Sequence, residues 1–239
     1  MSDKSRDISA SDAFSFTLRQ RLAMLSGNCI PFLHICLMVY ILCMPHFVLS
    51  LRIVLTWVVL YILPPFLARC LVLIFPIREE RIDIPSRDYF VWWILLNLQM
   101  IFCRLPFFEE LLRMIPGAYS LWLRLWGARI GSLTYWSPGL RVLDRGFLDI
   151  GDKVAFGAGV RLNPHVIVRD KDGRMQLLLA DIHIGDGVIV GGYSLLTAGT
   201  HLEDDEISKA FLISPPFSRW KNGRRIRERD NDMQDAGEA

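Results

Sequence analysis

The chain has 239 residues and a formal net charge of only +2, and no stretch reads as an RNA- or DNA-binding motif, so nucleic acid is not an expected partner. Its five cysteines (Cys29, Cys36, Cys43, Cys70 and Cys103) fall in the N-terminal half with no C-x-x-C pair. That excludes a cysteine zinc site and a disulfide framework as organising principles.

Residues 1–28 read as a short cytoplasmic segment. From 29 to 77 the sequence is apolar almost throughout, interrupted by Arg52 and Arg69. Each crossing of a hydrocarbon core needs ~20 apolar residues, so this stretch predicts a transmembrane helical hairpin. Its apex falls at Pro45-His46 or at Ser50-Leu51-Arg52. The run is too long for a cleaved signal peptide. Cys29, Cys36 and Cys43 recur every seven residues, on one helix face, and read as small packing side chains. Lys4, Arg6, Arg19 and Arg21 precede the hairpin, and Arg78, Arg81 and Arg87 follow it. The positive-inside rule then puts both termini in the cytoplasm, with a bacterial inner membrane as the expected location.

Residues 78–126 differ. Tyr89-Phe90-Val91-Trp92-Trp93 opens an apolar run that ends near Cys103-Arg104, just short of the ~17 residues a span needs. Leu105–Arg113 and Ser120–Trp126 alternate charge with bulk. Tryptophan at the edges favours interfacial or re-entrant helices, a collar at the membrane surface.

From 127 to 220 a six-residue period takes over. Ile150-Gly151-Asp152, Phe156-Gly157-Ala158 and Leu162-Asn163-Pro164 open three successive blocks. After a polar excursion the phase resumes at Ile184-Gly185-Asp186, Val190-Gly191-Gly192 and Leu196-Thr197-Ala198. Ile130-Gly131 is a weaker opening turn, and Trp136 lies one block later. One apolar anchor per block suits short strands on the faces of a triangular coil, with glycine at the second position turning each corner. Such coils bury their anchors only by stacking on one another. The tail, 221–239, is rich in Arg, Glu and Asp and reads as solvated and disordered.

His165 stands nineteen residues before Ile184-Gly185-Asp186. Between them lie Arg169-Asp170-Lys171-Asp172-Gly173-Arg174 and Asp181-Ile182-His183. In this arrangement the chain resembles the left-handed β-helix hexapeptide acyltransferases, in the galactoside/maltose O-acetyltransferase branch. The resemblance covers about residues 127–220. It departs in the shorter approach Asn163-Pro164-His165, in Ile189 where a Trp is common, and in having fewer coils after Leu202.

The resemblance implies transfer of an acyl group, usually acetyl, from coenzyme A to a hydroxyl or amine. His165 would be the general base, since a hydroxyl needs its proton removed as it attacks the thioester. The Gly192 amide would hold the oxyanion. Gly191, Ala198 and Gly199 would leave room for the pantetheine arm. On charge alone, the basic cluster of Arg219, Lys221, Arg224 and Arg225 reads either as attraction to anionic lipid at the membrane surface or as contact of Lys221 and Arg224 with the phosphates of coenzyme A. The resemblance also implies a homotrimer with sites between neighbouring coils. Acetyl-CoA is the expected co-substrate, and no metal is expected.

His165, His183 and His201 recur every eighteen residues, which raises a zinc hydratase of carbonic-anhydrase type as an alternative. In the six-residue phase, however, His183 and His201 share one position and His165 another. A non-catalytic scaffold for a membrane complex is a further alternative. The leading expectation is a transmembrane hairpin with interfacial helices followed by a short left-handed parallel β-helix. It would be an O-acyltransferase acting on a lipid or lipid-linked glycan, because tethering suits an acceptor confined to the bilayer.

Overall fold

The computed structural model describes residues 16–78 and 80–226. Most of the charged tail, 227–239, and the first fifteen residues lie outside the described residues. Two compact units result: residues 16–98 with Ile167–Leu179, and Gln99–Val166 with residues 180–226.

The first unit opens with α1 (Leu18–Asn28), α2 (Ile30–Cys43), α3 (Leu49–Tyr61) and α4 (Leu63–Ile74). Thr17 starts α1 through a capping box with Gln20, each side chain bonding the other's backbone N–H. Helical backbone at Cys29 (φ −76°, ψ −16°) carries α1 on toward α2, so the first apolar rod begins at Leu18, well before residue 29. The rods Leu18–Cys43 and Leu49–Ile74 are each 26 residues, long and apolar enough to cross a membrane. Their turn lies at Pro45-His46, while Ser50, Leu51 and Arg52 are already inside α3. Arg52 donates to the Leu42 carbonyl at 2.9 Å, across the turn. Cys29, Cys36 and Cys43 are exposed, so they do not fill a packed seam.

After β1 (Arg81–Asp83) comes α5 (Arg87–Leu98). α5 is the core of this unit: Tyr89, Trp92, Leu95 and Leu98 are buried, Trp92 at 2 % exposure. Gly27 permits the approach, since a Cβ there would lie 3.1 Å from the Trp93 ring. Trp93 donates to the Met24 carbonyl at 3.3 Å. A run too short to span is thus apolar on all sides because neighbouring helices cover it.

The second unit begins with α6 (Met100–Arg104), α7 (Phe107–Arg113) and α8 (Ala118–Trp126). Three strands per turn follow: β2 (Arg129–Ile130), β3 (Tyr135–Trp136), β4 (Arg141–Val142), then β5 (Leu148–Ile150), β6 (Ala155–Phe156), β7 (Arg161–Asn163). The chain leaves as β8 (His165–Arg169) and β9 (Met175–Leu179). It returns as β10 (Ile182–Ile184), β11 (Ile189–Val190), β12 (Leu195–Thr197), then β13 (His201–Leu202), β14 (Ile213–Ser214), β15 (Arg219–Lys221) and β16 (Arg224–Ile226). Pairing sorts these into three stacks: β2-β5-β10-β13-β15-β16, β3-β6-β11 and β4-β7-β12-β14. Within these stacks all pairs but β15–β16 are parallel, so the chain visits a first, second and third side in rotation. Inside the coil, Val154, Val160, Leu162, Ile182, Val188, Val190, Leu196 and Leu202 are fully buried.

The corner glycines do different work from that expected. Gly131, Gly151, Gly157, Gly185 and Gly191 have ordinary negative φ, so backbone conformation does not demand them. Close approach does. A Cβ on Gly151 would lie 2.2 Å from Asp186 Oδ1, and one on Gly185 2.3 Å from Asp204 Oδ1. Those carboxylates accept the backbone N–H of Asp152 and Asp186 on the preceding turn, at 2.7 and 2.9 Å. Glycine and aspartate recur together because one makes room for the other.

The excursion, expected as a polar loop, contributes Ile167–Leu179 to the first unit, where β9 pairs antiparallel with β1 (Arg81↔Leu178). Asp170 Oδ1 closes its tip by accepting the N–H groups of Asp172 and Arg174. Residues 221–226, expected to belong to a disordered tail, are instead ordered, since β15 and β16 form a hairpin through Ile226.

Candidate active site

Successive turns of the coil are not equal in length. Ile184 pairs with Leu202, eighteen residues on, whereas Ile130 pairs with Ile150, twenty residues on. The first and second sides of that longer turn keep the six-residue phase through Ile130, Trp136 and Val142. Two extra residues therefore sit at the corner between the third side and the first. The excursion leaves from the same corner one turn later.

Asp144 and Arg145 occupy the widened corner. Asp144 has left-handed backbone, φ 45°, a conformation that aspartate tolerates better than most side chains. Its carboxylate accepts a short hydrogen bond from His165 Nδ1, on the next turn. Asp144 is 1 % exposed, while the His165 side chain keeps 19 %. Burial alone would lower the His165 pKa, but the adjacent Asp144 charge and hydrogen bond outweigh it, and the net shift is upward. With Nδ1–H held by a carboxylate, the neutral imidazole presents its basic lone pair on Nε2.

Arg145 turns the other way, into the protein. It is fully buried and donates to Glu109 Oε1 through Nε (3.1 Å) and Nη2. Gln99 Oε1 accepts from both its backbone N–H and Nη1 at 2.9 Å. Glu109 Oε2 takes the Tyr119 hydroxyl at 2.6 Å and Arg113 Nη2 at 2.8 Å. Burial and the neighbouring Glu109 charge both push the Tyr119 hydroxyl pKa up, so it stays protonated as a donor. The helices carrying Gln99, Glu109 and Tyr119 thereby hold the turn that presents Asp144. Glu109 and Arg113 of α7 are inside this network, while Phe107 and Leu111 of the same helix, and Met114 and Ile115 just after it, are exposed.

Sequence reasoning missed Asp144 and Arg145. The signal was the jump of eight between Val142 and Ile150, where six would continue the phase.

The other expected residues are dispersed. Gly192 follows β11 at the corner between the second and third sides, so one chain does not gather it with His165 at the third-to-first corner. A Cβ on Gly191 would lie 2.4 Å from the backbone of Lys209 and Ala210, so that glycine serves coil stacking. Ala198 and Gly199 do follow the third side, on the turn after His165. Ala198 is fully buried, however, and the Phe217 ring lies 2.4 Å from where a Gly199 Cβ would be, so neither offers a bare track for pantetheine. Lys221 and Arg224 face each other in the terminal hairpin, exposed, and the nearby Arg219 is engaged by Glu203.

His183 and His201 are in register with rings 5.7 Å apart, and His183 bonds Asp149 at 3.2 Å. His165 is committed to Asp144 elsewhere. Among the described residues no group of three or more His, Cys, Asp or Glu side chains is arranged to hold a metal ion.

No protein-family model and no curated protein matches the sequence. Several solved structures are similar to part of the chain, among them the following. A hexapeptide-repeat-containing acetyltransferase of Vibrio cholerae is 13 % identical over 54 % of this chain and 90 % of its own, with a TM-score of 0.36. A maltose O-acetyltransferase of Clostridium difficile is 18 % identical over 56 % and 87 %, TM-score 0.36. A galactoside acetyltransferase in complex with coenzyme A is 16 % identical over 53 % and 82 %, TM-score 0.33.

Proposed function

We propose that the chain is a membrane-anchored O-acyltransferase built on a left-handed parallel β-helix. It moves an acyl group, in the first instance acetyl, from coenzyme A to a hydroxyl of a lipid or lipid-linked glycan. The observation that carries this reading is the His165–Asp144 pair at the one corner where the coil breaks phase. The acceptor hydroxyl oxygen bonds to the thioester carbonyl carbon as its proton passes to His165 Nε2. The carbon–sulfur bond then breaks, and the proton leaves on the coenzyme A thiol. Asp144 orients the ring and stabilises the imidazolium.

In this reading the molecule is a homotrimer, and the Gly192 amide of a neighbouring copy stabilises the oxyanion. Support comes from the Gly192 corner itself. Tyr193 and Phe211 stack there with centroids 5.4 Å apart, yet are 65 % and 71 % exposed, an apolar surface suited to a second copy. Lys221 and Arg224 remain the proposed contacts for the phosphates of coenzyme A.

Anchoring in a bacterial inner membrane rests on the two apolar rods, only 6 % and 28 % buried along their most apolar windows, and the cytoplasmic placement of termini and coil on the basic residues flanking the hairpin. The exposed apolar side chains Phe107, Leu111, Met114 and Ile115, on and just after α7, support lipid contact by the second unit as well. The test is the detergent-solubilised protein with labelled acetyl-CoA and total membrane lipid. Label should enter the lipid fraction. Binding of coenzyme A without transfer to any lipid or glycan lipid would overturn the proposed acceptor, and no binding at all would favour a scaffold.

A further inference from the structure

Beside the His165 corner, the outer face of the third side carries two guanidiniums in direct register, Arg141 on β4 and Arg161 on β7. Neighbouring strands run ~4.7–4.9 Å apart, and like charges placed opposite one another oppose pairing. Nothing in the coil offsets this. Both side chains are exposed, and among the described residues neither has a hydrogen bond or an ion pair. Both line a cavity of about 320 Å³, with Asn163 and Leu143 on the coil and Phe102 and Pro106 on the helices. The remaining charges at its wall, Glu109 and Arg145, neutralise each other.

The cavity is tied to the dyad by strand geometry. Alternate residues of an extended chain share a face, so Arg161 and Asn163 lead directly to His165. Leu143, likewise at the cavity, precedes Asp144. An anion held here would lie near the base that activates the hydroxyl.

We propose that this cavity binds the phosphate of the acceptor through Arg141 and Arg161, making the substrate a hydroxyl compound that carries a phosphate or phosphodiester. Two adjacent planar forks suit a tetrahedral oxyanion, which accepts paired, charge-assisted hydrogen bonds from each. The anion relieves the repulsion that the register imposes. The apolar wall of Phe102 and Pro106 accommodates the carbon skeleton beside the phosphate, and the volume suits a small headgroup. This inference deepens the acyltransferase reading and rests on it for the word acceptor.

The test measures binding without turnover, by calorimetry on the full-length protein in detergent, with glycerol 3-phosphate, glycerol and coenzyme A as probes. Glycerol 3-phosphate should bind and glycerol should not. The double variant R141Q/R161Q should weaken glycerol 3-phosphate at least about tenfold while leaving coenzyme A unchanged. His165→Ala should bind glycerol 3-phosphate as the wild type does, so failure of catalysis and failure of this site are read separately. Equal binding of the two glycerols, or of wild type and double variant, overturns the proposal. So does weakened coenzyme A with unchanged glycerol 3-phosphate, which assigns the arginines to the donor.

Discussion

Two corners of the coil follow one rule, and the third breaks it twice. Where the first side meets the second, Gly131, Gly151 and Gly185 make room for Asp152, Asp186 and Asp204 of the next turn, and each aspartate bonds the backbone of the turn before it. Where the second meets the third, Gly157 and Gly191 let the next turn's backbone come within 2.5 Å of a Cβ position. Such corners have no space for a functional side chain, because the neighbouring turn fills it. At the third-to-first corner two inserted residues and one long excursion open the stack, and there the histidine–aspartate pair is found. Local rules of a repeat are expected to fail where a site is built.

Removing His165 tests the irregular corner most severely. His165→Ala should lower transfer by roughly 10²–10⁴-fold with the fold retained, while His183→Ala and His201→Ala, on the regular ladder, should stay close to wild type. Labelled acetyl transfer and circular dichroism on all three variants check this. A comparable loss in all three would erase the distinction between the corners.

Next in size is the clamp behind Asp144. Glu109→Gln removes one charge from a buried pair and should destabilise the protein by about 3–5 kcal/mol, read as a lower thermal midpoint in detergent. An unchanged midpoint would mean that the widened corner holds itself. For the regular corners, Gly151→Ala should destabilise by about 1–3 kcal/mol, because its methyl meets Asp186 Oδ1 at 2.2 Å. Gly192→Ala, where the nearest atom is Ala158 O at 3.2 Å, should cost clearly less. The reverse order in denaturant midpoints would show that close approach is not what selects those glycines.

The finest test is the pH profile. Asp144 raises the His165 pKa against burial, so Asp144→Asn should move the acid limb of activity to lower pH. The same shift sets a stability term. A folded pKa above the unfolded value of about 6.5 contributes stability below that pH, lost as pH rises through the folded value. Asp144→Asn should flatten that dependence in denaturant titrations across the window. An acid limb that stays in place would detach Asp144 from the base.

Much of the coil was legible because its anchors are apolar and periodic: Ile150, Phe156, Leu162, Ile184, Val190 and Leu196 all face inward. The apolar rods were legible by length, although composition alone did not choose between two apices. Asp144 was hidden because a break in phase resembles the end of a repeat rather than a built corner. The burial of Glu109 was not legible because charge ordinarily faces water, and only a partner such as Arg145, thirty-six residues distant, reverses that.

A parallel stack has two raw ends, each able to recruit a stray strand from another molecule. Here both are blunted. At one end Arg124 of α8 donates to the Ile130 and Gly131 carbonyls, occupying acceptors that an added strand would need. At the other, β16 runs backwards and presents Arg224 and Arg225. Chains cut after Lys221 would carry an unpaired edge at β15, and the physics of cross-strand templating makes them prone to end-to-end growth into fibrils rather than to simple unfolding.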